Sequence, residues 1–215
     1  MELTVAYKGK IEYGQALAIQ EDLNLRRQKE EIQDTLILLE HHPVITLGRN
    51  GKTEDILIPE SKLRKLNIEV RKIGRGGNAT YHGPGQLVAY PIIHLYHKQR
   101  SLRDFVNKLE QSVIDFLAGE FGIQTDRHPK YRGVWLGENK IAALGIEIRH
   151  GVTMHGLAIN IQPDLRPFSW IIPCGIKEKG VCSVKEKTGQ TYDMAKLAGI
   201  FPYYFINVFG YAKRQ

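Results

Sequence analysis

The stretch KIGRGGNATYHGPGQLVAYP, residues 72–91, packs five glycines and two prolines into twenty positions. Such a run continues neither a helix nor a regular strand, so it fixes where the fold must turn or open. It follows the strand-like IEVRKI, and GRGGNA within it matches G-x-G-x-x-A, the dinucleotide fingerprint. That fingerprint functions where a helix opens and its N-terminal amides meet a pyrophosphate. Here a β-branched threonine and then Gly-Pro-Gly follow, and no clear acidic residue ends a later strand. The P-loop pattern G-x-x-x-x-G-K-[ST] is absent. Two readings stay open. Gly83, Pro84 and Gly85 make the tip of a decorated hairpin, or the segment lies along a ligand. In the second reading Gly76 and Gly77 admit close backbone approach, and Arg75, Tyr81 and His82 supply polar edges.

Elsewhere the pattern predicts alternating strands and helices without a strict βαβ rhythm. ELTVAY, TLILLEHH, VITLGRN, IEVRKIG and QLVAYPIIHL read as strands, and PESKLRKLN as a short helix. YGQALAIQEDLNLRRQKEEI reads as an amphipathic helix with Ala16, Ile19, Leu23 and Arg27 on one face and polar residues between. SLRDFVNKLEQSVIDFLAGEFG carries a capping box at Ser101 and Asp104, and Gly122 ends it. A β-rich stretch broken at GEN and RHG follows, then a helical tail from Asp193 in which Pro202 forces a kink or a restart. The expected architecture is a single α+β domain over 1–215, with a mixed or antiparallel sheet and flanking helices. Two cysteines among 215 residues make a disulfide scaffold untenable and suggest a reducing, cytoplasmic setting. Nothing approaches the length of a membrane span. The net charge of +7 points to an anionic partner.

Cys174 stands in WIIPCGI, between a proline and a glycine, where a thiol in a turn would meet a carbonyl. Cys182, in KGVCSVKE, alternates with valines as a strand residue does. A buried structural thiol is the competing reading for either. No C-x-x-C or H-x-x-x-H spacing supports a metal. A nucleophilic cysteine needs a base or cation beside it. Lys140, at the head of the apolar strand KIAALGIEI, is either a solvated turn charge or a buried amine aimed into a site.

RGGNATYHGPGQLVAYPI, KIAALGIEI, VTMHGLAINI and PCGI, in that order, resemble the lipoyl(octanoyl) transferases of lipoate biosynthesis, and LILLEHHPVITLGRN and the helical tail fit as well. The resemblance implies the fold of biotin- and lipoate-protein ligase catalytic domains. It implies transfer of octanoyl from octanoyl-acyl carrier protein, through a thioester on Cys174, to a specific lysine of a lipoyl domain. Lipoyl domains of 2-oxoacid dehydrogenase E2 subunits and the glycine-cleavage H protein are the implied acceptors. Lys140 takes the part of the lysine that lowers the thiol pKa and moves protons. The acyl-contacting segments map onto Arg75, Gly76, Gly77, Asn78, Ala79, Thr80, Tyr81 and His82, onto Ala143, Leu144 and Gly145, and onto Gly156, Leu157 and Ala158. No cofactor or metal is expected. An ATP-dependent lipoate or biotin ligase of the same fold is the nearest alternative, and a nucleic-acid-binding module, suggested by charge alone, is a remote one.

Overall fold

The computed structural model describes residues 2–95, 101–172 and 179–212. Strands β1 (Leu3–Ile11) and β2 (Asp34–His41) flank helix α1 (Tyr13–Gln28) in the chain. Next come β3 (Val44–Leu47), α2 (Glu60–Lys65), β4 (Glu69–Lys72), β5 (Ala79–His82) and β6 (Gln86–Ile92). Helix α3 (Leu102–Phe121) leads to β7 (Asp126–Arg127), β8 (Val134–Leu136), β9 (Asn139–Arg149) and β10 (Val152–Asn160). A 3-10 turn (Arg166–Trp170), β11 (Gly180–Val181), α4 (Val184–Thr188) and α5 (Met194–Phe209) follow, and a second short 3-10 turn (Thr53–Asp55) lies between β3 and α2.

Among the described residues the strands form two sheets. The larger runs β1-β2-β6-β10-β9-β8-β7, with β11 also paired to β9. Its β1–β2 and β9–β11 pairs are parallel and the rest antiparallel. The smaller, β4-β3-β5, carries the segment that leads into the glycine run. The fold is therefore α+β with a mixed sheet and flanking helices. The apolar run of β2 follows from burial on both faces. Leu36 and Leu38 join the cluster under α3 and α5, while Ile37 and Leu39 face the α1 side. On the first side Phe105, Phe116, Phe201, Phe205 and Phe209 are each at most 2% exposed. Burying a phenylalanine of this kind stabilises by roughly 1.5–3 kcal/mol.

Three local expectations change. Of the kink or restart expected at Pro202, the restart is absent: helix α5 runs from Met194 to Phe209 with Pro202 inside it. Cys182 does not continue a strand: β11 stops at Val181, and Ser183 caps α4 through a reciprocal pair with Glu186. The buried stripe of α1 is Tyr13, Ala16, Gln20, Asn24 and Arg27, so its polar residues Gln20 and Asn24 turn inward. Arg27, buried as its place beside Ala16 predicts, pairs with Asp34 at 2.9 Å, and Asp34 also accepts the Tyr211 hydroxyl at 2.8 Å.

Candidate active site

The glycine run becomes a loop pressed between two pieces of backbone. Gly48, Arg49 and Asn50 donate their amides to Asn78, Arg75 and Gly77. On the other side the Gly76 amide donates to Ile146 O at 3.0 Å, so the loop lies along β9 beyond the reach of β8. Gly77 holds φ +91°, a conformation other residues rarely adopt. Arg75, 8% exposed, braces this turn from inside. Its guanidinium donates to Thr46 O at 2.8 Å, to Gly76 O at 3.0 Å and to Asn78 O at 2.9 Å. The segment is no hairpin, because β5 and β6 on either side of Gly83, Pro84 and Gly85 belong to different sheets, while its Gly76 and Gly77 wall a space.

That space has a wide and a narrow part. A cleft of about 640 Å³ is bounded by Gly76, Gly77, Asn78, Leu144 and Gly145, and by the α3 residues Leu102 and Val106. Arg103, Lys130 and Arg132 stand on the same cleft. A slot of about 40 Å³ continues from Gly77, Leu144 and Gly145 between the loop and the sheet. Arg75, Thr80 and His82 form one wall of it, and Ala143, Gly156, Leu157 and Ala158 the other. Strand alternation separates the β5 residues: Thr80 and His82 face the slot, whereas Ala79 and Tyr81 pack in the cluster with Ile45 and Phe168.

Lys140 is not among the residues that line the slot. It borders the wide cleft and a small void shared with Thr80, Ala143, Ala158, Phe168 and Val181. It is 8% exposed, so the buried amine, rather than the solvated turn charge, describes it. Trp135 and Val181 are its partners in β8 and β11. The indole lies under the ammonium, with Nζ 4.8 Å from the ring centroid, an attraction of about 0.5–2 kcal/mol depending on desolvation. Cys182 N donates to Lys140 O at 3.0 Å, which ties the start of the α4 segment to the same point. Cys174 lies outside the described residues. Burial pushes the Cys182 thiol up to about 11, with Glu186 adding to the shift, so this thiol is a poor nucleophile at neutral pH.

The far end of the slot is aromatic and uncharged. Tyr13, Tyr90 and His155 complete it, and none of them stands out by spacing in the sequence. His155 directly precedes the Gly156–Ala158 stretch in the VTMHGLAIN motif, which is the one signal that points to it. Burial lowers His41 and His155 to about 4 and His82 well below the ordinary value of 6.5. His41 Nδ1 faces the Ile11 carbonyl at 3.3 Å, so its Nε2 accepts the Tyr90 hydroxyl at 2.7 Å. His82 Nδ1 donates to Gln86 Oε1 at 3.1 Å, and Gln86 Nε2 donates onward to Asn160 Oδ1 at 2.9 Å. His155 Nε2 lies 3.5 Å from Glu147. Burial would raise that carboxyl, but the Arg149 and Arg49 guanidiniums beside it outweigh burial and hold it low.

A glycine loop thus covers the stretch of β9 that β8 and β11 leave unpaired, and a buried lysine borders the cleft that the loop bounds, the make-up of a candidate catalytic domain. The lipoyl protein ligase A/B catalytic domain model matches residues 12–206, and the chain belongs to that family. The chain is 45% identical over 211 residues to an octanoyltransferase of Caldicellulosiruptor bescii, covering 98% of this chain and 92% of that one. It is 43% identical to an octanoyltransferase of Desulforamulus reducens, again over 98% and 92%. It is an acyltransferase. Among solved structures, a bipartite lipoate protein ligase of Thermoplasma acidophilum matches with a TM-score of 0.75 at 16% identity, covering 100% of this chain and 86% of that chain. The biotin protein ligase of Aquifex aeolicus in complex with biotin and ATP matches at 0.61 and 14%, covering 96% and 70%. At these identities the two structures establish the fold.

Proposed function

We propose that residues 1–215 form one catalytic domain that moves an octanoyl group from octanoyl-acyl carrier protein to a lysine of a lipoyl domain through a thioester on Cys174. The observation that carries this reading is the seat of Lys140. Phe168 and Val181, on either side of Cys174 in the chain, border the same small void as the Lys140 side chain. In the first half-reaction the Cys174 thiolate attacks the donor carbonyl. The donor C–S bond breaks, and the leaving thiolate takes a proton from the Lys140 ammonium. In the second, the acceptor amine attacks the thioester, gives its surplus proton to Lys140 and leaves an amide with Cys174 again a thiolate. Exchange between thioesters needs no activation by ATP, and two transfers through one nucleophile give ping-pong kinetics. The oxyanion takes the Cys174 or Gly175 backbone amide; neutral His82, whose Nδ1–H is committed to Gln86, has no second N–H to give it.

The wide cleft is the entry. Arg103, Lys130 and Arg132 on its margin, within a chain of net charge +7, suit an acidic carrier, and the same charge suits acidic lipoyl domains of E2 subunits and of the glycine-cleavage H protein. The test is intact-mass spectrometry after mixing with octanoyl-carrier protein in the absence of ATP. One octanoyl adduct is expected on the wild type and none on Cys174→Ser. Modification that requires ATP and free octanoate would instead establish the ligase reading.

A further inference from the structure

Strand β6 carries Pro91 in its interior, between two hydrogen-bonded neighbours, where a proline removes a ladder donor. The pairing of β6 with β10 runs from Asn160–Gln86 to Leu157–Ala89, and the bridge between Val152 and His94 keeps the same register. His155 therefore stands opposite Pro91. In that position an antiparallel ladder needs an amide from each strand, and Pro91 has none. The Pro91 carbonyl is already taken by the Thr153 hydroxyl at 2.6 Å. His155 keeps its pairing with Ile146 of β9 but drops out of the β6 side, adopting φ +57° within the strand, a conformation that costs any residue with a Cβ.

What receives the His155 amide is a side chain from another layer. Gln20, on the inward stripe of α1 and 0% exposed, accepts it at 2.7 Å through Oε1. Asn24, one turn further along, donates to the Val152 and Thr153 carbonyls of the same strand. With its backbone held in this way, His155 turns its imidazole to Tyr13, 3.4 Å from the phenol, and to Glu147. Deprived of the Gln20 oxygen, the buried amide has no acceptor in place, and the strand gains by relaxing toward extended geometry. Side chains of a strand change face with such a change, so the ring would leave the end of the slot.

We propose that Gln20 is a specificity-determining positioning residue: it accepts the His155 amide that no longer pairs with β6, fixes His155, and so sets the depth of the slot for the tail of the acyl chain. This rests on the octanoyl-transfer reading above. Gln20 touches no substrate; it acts through His155.

The experiment compares hexanoyl-, octanoyl- and decanoyl-carrier protein as donors, reading kcat/KM for acyl-enzyme formation. Gln20→Met keeps the length and loses the acceptor. Gln20→Glu keeps an oxygen in place. Ile19→Ala, which loosens the same helix against the sheet without touching β10's amides, is the control for stability alone. A methylene in an apolar pocket is worth about 10–200-fold in discrimination, so the octanoyl-to-decanoyl ratio is expected to fall about tenfold in Gln20→Met. The ratio should hold in Gln20→Glu and in Ile19→Ala. If Gln20→Met does not fold, Gln20→Asn, one methylene short of the amide, serves with the same expectation. An equal loss for all three donors in Gln20→Met, or an equal ratio change in Ile19→Ala, overturns the inference while octanoyl transfer stands. A wild type that forms no acyl-enzyme with any donor overturns both.

Discussion

At the scale of single residues, the site depends on positions where one atom more or less decides the outcome. A Cβ on Gly156 would lie 2.0 Å from the Ala89 carbonyl and 2.8 Å from Pro91 Cδ, both fixed parts of the neighbouring strand. Gly156→Ala is therefore expected to cost at least about 1–3 kcal/mol as an overpacked core substitution, read as a lower urea midpoint. Lys140 offers a chemical counterpart. Lys140→Met keeps the stem on Trp135 and removes the proposed proton carrier; kcat should fall about 10²–10⁴-fold, the usual worth of general acid–base catalysis. A pH–rate profile that kept its wild-type shape in this variant would remove Lys140 from the proton path. The lysine was legible in the sequence as a charge at the head of an apolar strand. Its burial was not, because burial comes from Trp135 and Val181, partners that only the register of β8 and β11 brings to it.

At the scale of elements, the sequence shows which segments are helices and strands better than it shows which faces they hide. The apolar runs of β2 and β6 and the face of α3 follow from periodicity. Helix α1 misleads, because periodicity assigns Gln20 and Asn24 to solvent, although it places Arg27 with Ala16 on the buried face. The sheet beneath α1 has backbone groups to satisfy and a carboxylate to match, and three polar side chains turn inward to meet them. One of these contacts ties three elements together: Arg27 of α1, Asp34 of β2 and Tyr211 after α5. Asp34→Ala would leave a buried guanidinium without its partner. A loss of about 3–5 kcal/mol is expected in chemical denaturation, against a near-silent change for an exposed acid such as Asp22.

At the scale of the whole molecule, three histidines buried neutral within one region make the fold sensitive to acid. Their folded-state values lie below 6.5, so the contribution to stability is complete above about pH 6.5. It falls as the pH drops toward 4, because the unfolded chain takes up protons that the folded chain refuses. Each contributes up to about 1.4 kcal/mol per pH unit in that window. Urea midpoints measured from pH 7 to pH 4.5 should decline steeply, and His41→Gln should flatten the decline; a flat profile in the wild type would show the histidines to be solvated. The larger sheet also has an exposure problem that the glycine loop resolves. Strand β9 extends to Arg149 while its outer neighbours β8 and β11 reach only Ala142 and Lys140, leaving the stretch beyond them to Gly76 and its loop. An uncovered apolar strand edge recruits strands from other chains. The loop that walls the candidate site is thus also a guard on solubility, and mutations that free it to admit bulkier substrates are expected to be selected against first by aggregation.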